Sequence, residues 1–185
     1  MSATSTLFLG EPTRLAPPTR RERRLERRAL VRQDLRSARL AELVTIREVL
    51  GCAAELVEQG WLQEAWFSYR APAGDVRVSH VPDRHRIRTA PVLSRCLVAA
   101  IMDAANAPSS SDGQVTRRTV EVTWHALQSS WAEPVQWCPA PDMHLTHVRD
   151  LTRWNDRPGR TSAEIGTLLE AAVGVTDAER RRAMG

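Results

Sequence analysis

The sequence contains no lysine: all 26 of its basic residues are arginine. The planar arginine fork suits bidentate phosphate contacts, but GC-rich coding leaves the same bias, so the positions of the arginines decide more than their identity. Cysteine is scarce. Cys52, Cys96 and Cys138 are odd in number and far apart, which suits reduced thiols in a cytoplasm. No apolar run approaches the roughly 20 residues of a membrane helix. Leu7-Phe8-Leu9 is the only apolar patch near the start and no basic region leads it, so no secretory signal is expected. There is no Walker loop, GxGxxG, GxSxG, His-Glu-x-x-His or spaced Asp/Glu pair. Accordingly no catalytic residue, metal ligand or cofactor is assigned, and a non-enzymatic role is the expectation.

What is present suffices for a core. A chain of 185 residues with 42% hydrophobic content and six tryptophans is one domain by size. Residues 1–18 are rich in Ser, Thr and Pro and read as a flexible leader. Thr19 with Glu22 spells a capping box, so a basic helix is expected over residues 19–41. Residues 42–174 form the expected helical core domain, and residues 175–185 a basic, frayed tail.

The charge is uneven. Arg20 to Arg39 holds nine arginines against Glu22, Glu26 and Asp34, a net +6 in a chain whose total is +4. Arg20, Arg24, Arg28, Arg32 and Arg36 recur every fourth residue, with Arg23 and Arg27 beside them. Five like-charge contacts at helical spacing penalise an isolated helix by about 1–2.5 kcal/mol. A polyanion would relieve that repulsion, so these seven arginines are the candidate nucleic-acid contacts, to RNA or DNA. An acidic protein surface is the alternative partner; no membrane partner is expected. Thr19 to Arg28 is similar to the arginine-rich RNA-binding helices of lambdoid phage antiterminator proteins, a likeness of ten residues.

Beyond Leu40 the pattern changes. Leu43, Ile46, Leu50, Ala53 and Val57 step by three and four, a buried stripe ending at Gly60, read as a C-terminal cap. Aromatics gather at Trp61, Trp66, Phe67 and Tyr69, and the turn Ala71–Asp75 before Val76 and Val78 predicts a small hairpin as the only β structure. Asp83–Arg88 is a second basic patch. Pro91 predicts the first turn of a helix reaching Asn106, followed by a link over Ala107–Gln114. Val120, Trp124, Leu127 and Trp131 predict a helix over Val115–Trp131 whose tryptophans face the core. Met143 to Trp154 is a further helix, with Leu145, Val148 and either Leu151 or Thr152 inward. The fold class is therefore mainly α: one domain of about five helices, a small β-hairpin and a protruding basic N-terminal helix.

Two constellations hold reactive residue types. Cys138, Asp142, His144 and His147 lie within ten residues, but prolines separate the thiol from the histidines, which read as surface or helix-end residues. Cys96 sits in an apolar helix, where a thiol behaves as a small hydrophobe.

The most specific local code is Trp154-Asn155-Asp156-Arg157-Pro158-Gly159-Arg160-Thr161. Pro158-Gly159 forces a turn, Thr161 with Glu164 spells a capping box, and Ile165, Leu168, Leu169 and Ala172 follow to a stop at Gly174. Trp154 is the expected anchor. Arg157 and Arg160 flank a helix N-terminus, yet the capping box occupies its amides, which favours a structural role. This stretch, with Gly60-Trp61 and Cys96-Leu97-Val98-Ala99-Ala100, resembles an uncharacterised family of actinobacteria and their phages over roughly residues 43–172. The resemblance implies a fold and a host range, and no activity.

Overall fold

The computed structural model describes residues 19–82, 90–105, 113–128, 133–137 and 141–185. The leader, the Asp83–Arg88 patch, Trp131, Cys138 and most of the Ala107–Gln114 link lie outside the described residues. The chain divides into two units, residues 1–36 and residues 37–185. It is mainly α, as the sequence pattern predicts, with five helices and one small sheet among the described residues.

Helix α1 runs from Arg20 to Gln59 without a break. It opens on the expected capping box: the Thr19 amide donates to Glu22 Oε2 at 2.6 Å, and the Glu22 amide to Thr19 Oγ1 at 3.2 Å. The Thr19 amide, with the Thr19 hydroxyl adding to it, holds the Glu22 carboxyl below its ordinary pKa. Leu43, Ile46, Leu50, Ala53 and Val57 are buried, the stripe their spacing predicts. Gly60 ends the helix for another reason than the one expected. It does not take a left-handed conformation; instead a Cβ there would lie 2.2 Å from the Leu93 carbonyl oxygen. Close backbone approach, not turn geometry, requires glycine at this position.

Three strands follow: β1 (Phe67–Arg70), β2 (Val76–Ser79) and β3 (Val92–Arg95), in sheet order β2-β1-β3 and antiparallel throughout. The β1–β2 hairpin pairs Phe67 with Ser79 and turns at Gly74 with φ of 92°. Strand β3 corrects the expected helix start at Pro91. Its residues complete the second edge of β1, so pairing decides the conformation over the local helix signal. Trp61 adds a parallel bridge to Arg95.

Helix α2 (Leu97–Ala105) is the centre of the core: Leu97 through Ile101 are all buried, and its one charged residue, Asp103, accepts from Arg95 at 2.7 Å. Helices α3 (Gly113–Gln128) and α4 (Pro141–Asn155) pack against it and α5 (Ser162–Met184) packs against α3, contributing Val120 and Val122, Leu151, and Ile165 and Leu169 to the core. Trp124 and Leu127 are only half-buried. On α4 the inward face is His147, Leu151 and Asn155, each four apart, so His147 is buried and Leu145 is 65% exposed, both against expectation.

Helix α5 opens on the Thr161–Glu164 capping box after a Gly159 with φ of 80°. It does not stop at Gly174. Val175 and Thr176 are buried, Thr176 Oγ1 donates back to the Ala172 carbonyl, and Glu179 accepts the Val135 amide at 3.1 Å. Burial and these partners outweigh a helical glycine that costs about 1 kcal/mol. Among the described residues no helix is long and apolar enough to cross a membrane.

Candidate functional site

The arginines of residues 19–36 are exposed without exception. At about 100° per residue, each four-residue step from Arg20 to Arg36 advances about 40°, so the five sweep about 160° of the helix. Glu22, Glu26 and Asp34 fall outside that sweep. Leu25, Val31 and Leu35 fall inside it, and all three are exposed. Among the described residues no carboxylate pairs with Arg20, Arg23, Arg24, Arg27, Arg28 or Arg32. Arg36 carries a contact of its own.

The contrast with Arg39 is sharp. Its guanidinium donates to Glu42 at 2.7 Å, lies 3.8 Å from Glu179 and stacks 3.9 Å over Trp137. Arg118 approaches the same indole at 4.7 Å and pairs with Glu121. This is a network that ties α1, α3, α5 and the Val135–Trp137 segment together, and its charges are spent on one another.

The three stretches behind the family resemblance meet at one residue. Asn155 is fully buried at the end of α4. Its Oδ1 accepts the Trp61 indole N–H at 2.8 Å and the Leu97 amide, at the head of α2, at 3.1 Å. Its Nδ2 donates to the Leu62 carbonyl at 3.2 Å and to Asp156 Oδ1 at 2.7 Å. Gln63 closes the junction, donating to the carbonyls of Asn155 and Arg157, both at 2.9 Å. Trp154, the expected anchor, is a half-buried neighbour; the buried amide beside it does the joining. The sequence signal was a side-chain amide inside a helix-ending motif, where a bare carbonyl end needs partners.

Arg160 is consumed structurally. Its guanidinium stacks 4.0 Å over Trp154, donates to Glu164 at 2.6 Å and to the Trp154 carbonyl at 3.3 Å. With the Thr161 and Glu164 amides in the capping box, the helix N-terminus offers little to an anion. Arg157 is exposed and has no carboxylate partner among the described residues.

Of the other reactive groups, Cys96 is buried and its thiol is pushed up to about 11, chiefly by burial, which makes it inert. Among the described residues no three His, Cys, Asp or Glu side chains come together as a metal site. His147 stacks on Trp124 with centroids 4.0 Å apart, and Trp124 donates to Asp150 Oδ2 at 3.2 Å. The Nδ1 atoms of His144 and His147 are buried without a hydrogen bond among the described residues. Burial lowers the pKa of both rings, with Arg117 adding to the effect at His144 and Asp150 opposing it at His147.

A cleft of about 520 Å³ is lined among the described residues by Leu127, Gln128, Asp150, Arg153, Trp154 and Arg157. The sequence pattern did not single it out, because its lining comes from two helices and a turn.

Fold and junction together define a helical domain built on a central buried helix and a three-stranded sheet. The chain belongs to DUF6197, a family of unknown function, which it matches over residues 41–175. That range takes in the whole junction and begins after the arginine stripe. No curated protein and no solved structure matches the chain.

Proposed function

We propose that this is a non-enzymatic nucleic-acid-binding protein of an actinobacterial phage or mobile element, acting in the cytoplasm through the arginine-rich face of α1. The observation that carries the reading is a set of six exposed arginines, Arg20, Arg23, Arg24, Arg27, Arg28 and Arg32, with no carboxylate partner among the described residues. Arg36 extends their stripe. From Arg20 to Arg36 the helix rises about 24 Å, the length of about seven base steps of a duplex. Glu22, Glu26 and Asp34 stand off the stripe, so a polyanion lying along it meets none of these three carboxylates.

Neutralising up to six phosphates gives a salt slope of up to about −5 in log affinity against log salt. Filter binding of labelled RNA and DNA duplexes from 50 to 200 mM salt tests this. Absence of binding at low salt, or a flat salt dependence, removes the proposal.

A second reading has its own support: exposed Leu25, Val31 and Leu35 interleave the arginines. An acidic protein partner with apolar contacts would use them, whereas phosphates would not. Affinity purification that survives nuclease treatment and is abolished in a Leu25→Ser, Leu35→Ser variant favours this adaptor reading.

A further inference from the structure

We infer that the cleft between the C-terminal ends of α3 and α4 binds a phosphomonoester attached to a planar heterocycle, the chemistry of a nucleoside monophosphate or of a 5′-phosphorylated strand end. This is independent of the α1 arginines, since every lining residue belongs to residues 37–185.

At about 520 Å³ the cleft lies within the range of small-ligand pockets. Its walls divide by chemistry. Arg153 and Arg157 have no carboxylate partner among the described residues, and two guanidinium forks suit a phosphate dianion. A simpler explanation is that they answer the negative end of α4. That end is already occupied: the carbonyl of Thr152 accepts the Asp156 amide, that of Trp154 accepts Arg157 and Arg160, and that of Asn155 accepts Gln63. The helix end leaves the two guanidiniums little to neutralise.

The remaining lining supplies a ring surface and polar selectors. Trp154 is fixed, because Arg160 covers one face and is itself held by Glu164. With Leu127 it offers the apolar surface that a base stacks against. Asp150 has Oδ2 engaged by Trp124, while Oδ1 has no partner among the described residues. That oxygen suits a ribose hydroxyl or an exocyclic amine, and the Gln128 amide supplies both a donor and an acceptor. Arg157 is placed by the junction, since Gln63 grips its carbonyl at 2.9 Å.

The test is calorimetric titration of the full chain, at low salt, with the four nucleoside monophosphates, the matching nucleosides and inorganic phosphate. A monophosphate should bind at least tenfold more tightly than its nucleoside or phosphate alone. Arg153→Ala and Arg157→Ala should each weaken it tenfold or more, with circular dichroism unchanged because both side chains are exposed. Replacing Arg20, Arg24, Arg28 and Arg32 by alanine should leave it untouched, so failure here and failure of the α1 reading are distinguishable. A short single strand with and without a 5′-phosphate separates the sources: phosphate-dependent binding identifies a strand end, and its absence identifies the free nucleotide. No heat with any monophosphate at millimolar concentration, or affinity indifferent to both arginine substitutions, overturns the inference.

Discussion

Across 94 positions of sequence, the Trp61 indole N–H reaches the side-chain oxygen of Asn155 at 2.8 Å. The same oxygen takes the first amide of α2, so one buried amide fixes the exit from α1, the start of the central helix and the end of α4. Substituting Asn155→Ala leaves the Trp61 donor, the Leu97 amide and the Leu62 carbonyl without their partner. A buried orphan group costs about 1–3 kcal/mol, and the three share one site, so a loss of about 3 kcal/mol or more is expected. Urea unfolding followed by circular dichroism measures it. A loss below about 1 kcal/mol would mean that water replaces the amide and that the junction does not organise the fold.

Two glycines should respond in opposite directions. Gly60→Ala places a methyl 2.2 Å from the Leu93 carbonyl oxygen, a backbone atom that moves only if β3 moves. Overpacking of this kind costs about 1–3 kcal/mol, and here the displaced group is part of the sheet. Gly174→Ala meets nothing within 4 Å in the middle of α5. It should stabilise the protein by about 0.5–1 kcal/mol through helix propensity and a restricted unfolded chain. Thermal melts of the two variants decide both signs at once.

Much of this fold was legible from spacing alone. The stripe Leu43 to Val57, the capping boxes at Thr19 and Thr161 and the Phe67–Ser79 hairpin are local patterns that tertiary structure left intact. What was not legible depended on distant partners. Val92–Arg95 became a strand because β1 had an open edge, and Gly174 stayed helical because Val175 and Thr176 found the core. The arginine stripe was visible in the sequence, but that Arg20, Arg24, Arg28 and Arg32 have no carboxylate partner among the described residues is a property of the folded chain. The cleft was invisible because Gln128, Asp150 and Arg157 are brought together only by packing.

Stability should fall on mild acidification. The His144 and His147 rings are held below the ordinary value of 6.5, chiefly by burial. A base with a depressed folded pKa binds more protons when unfolded, so unfolding becomes easier once the pH drops below the unfolded value. Both rings are neutral at pH 7.5 and no penalty applies; between 6.5 and the lower folded values the penalty grows, then levels off. Asp150 partly offsets it at His147, and Arg117 deepens it at His144. Urea midpoints at pH 7.5 and 5.5 should differ, and the double variant His144→Gln, His147→Gln should narrow the difference. The carboxylates Glu22 and Glu164, whose pKa values are lowered by their capping bonds, respond only at more acidic pH and do not confuse the comparison.

The arginine stripe makes a prediction in which binding and stability part company. Arg20, Arg24, Arg28 and Arg32 are exposed and repel one another at four-residue spacing, so they contribute nothing to holding the helix. Replacing all four with alanine removes the four like-charge pairs from Arg20/Arg24 to Arg32/Arg36 and installs the best helix former, so the helix content and melting temperature should hold or rise. Nucleic-acid affinity at 50 mM salt should fall at least a hundredfold, and the salt slope should shrink by about 3–4 in magnitude, close to one for each phosphate that is no longer neutralised. Replacing Arg39 instead should do the reverse, since its charge is spent on Glu42, Glu179 and Trp137. That variant should melt earlier and bind nucleic acid nearly as well as the parent. If both variants lose binding and stability together, the stripe is holding the protein in shape, and its positive charge needs no outside partner.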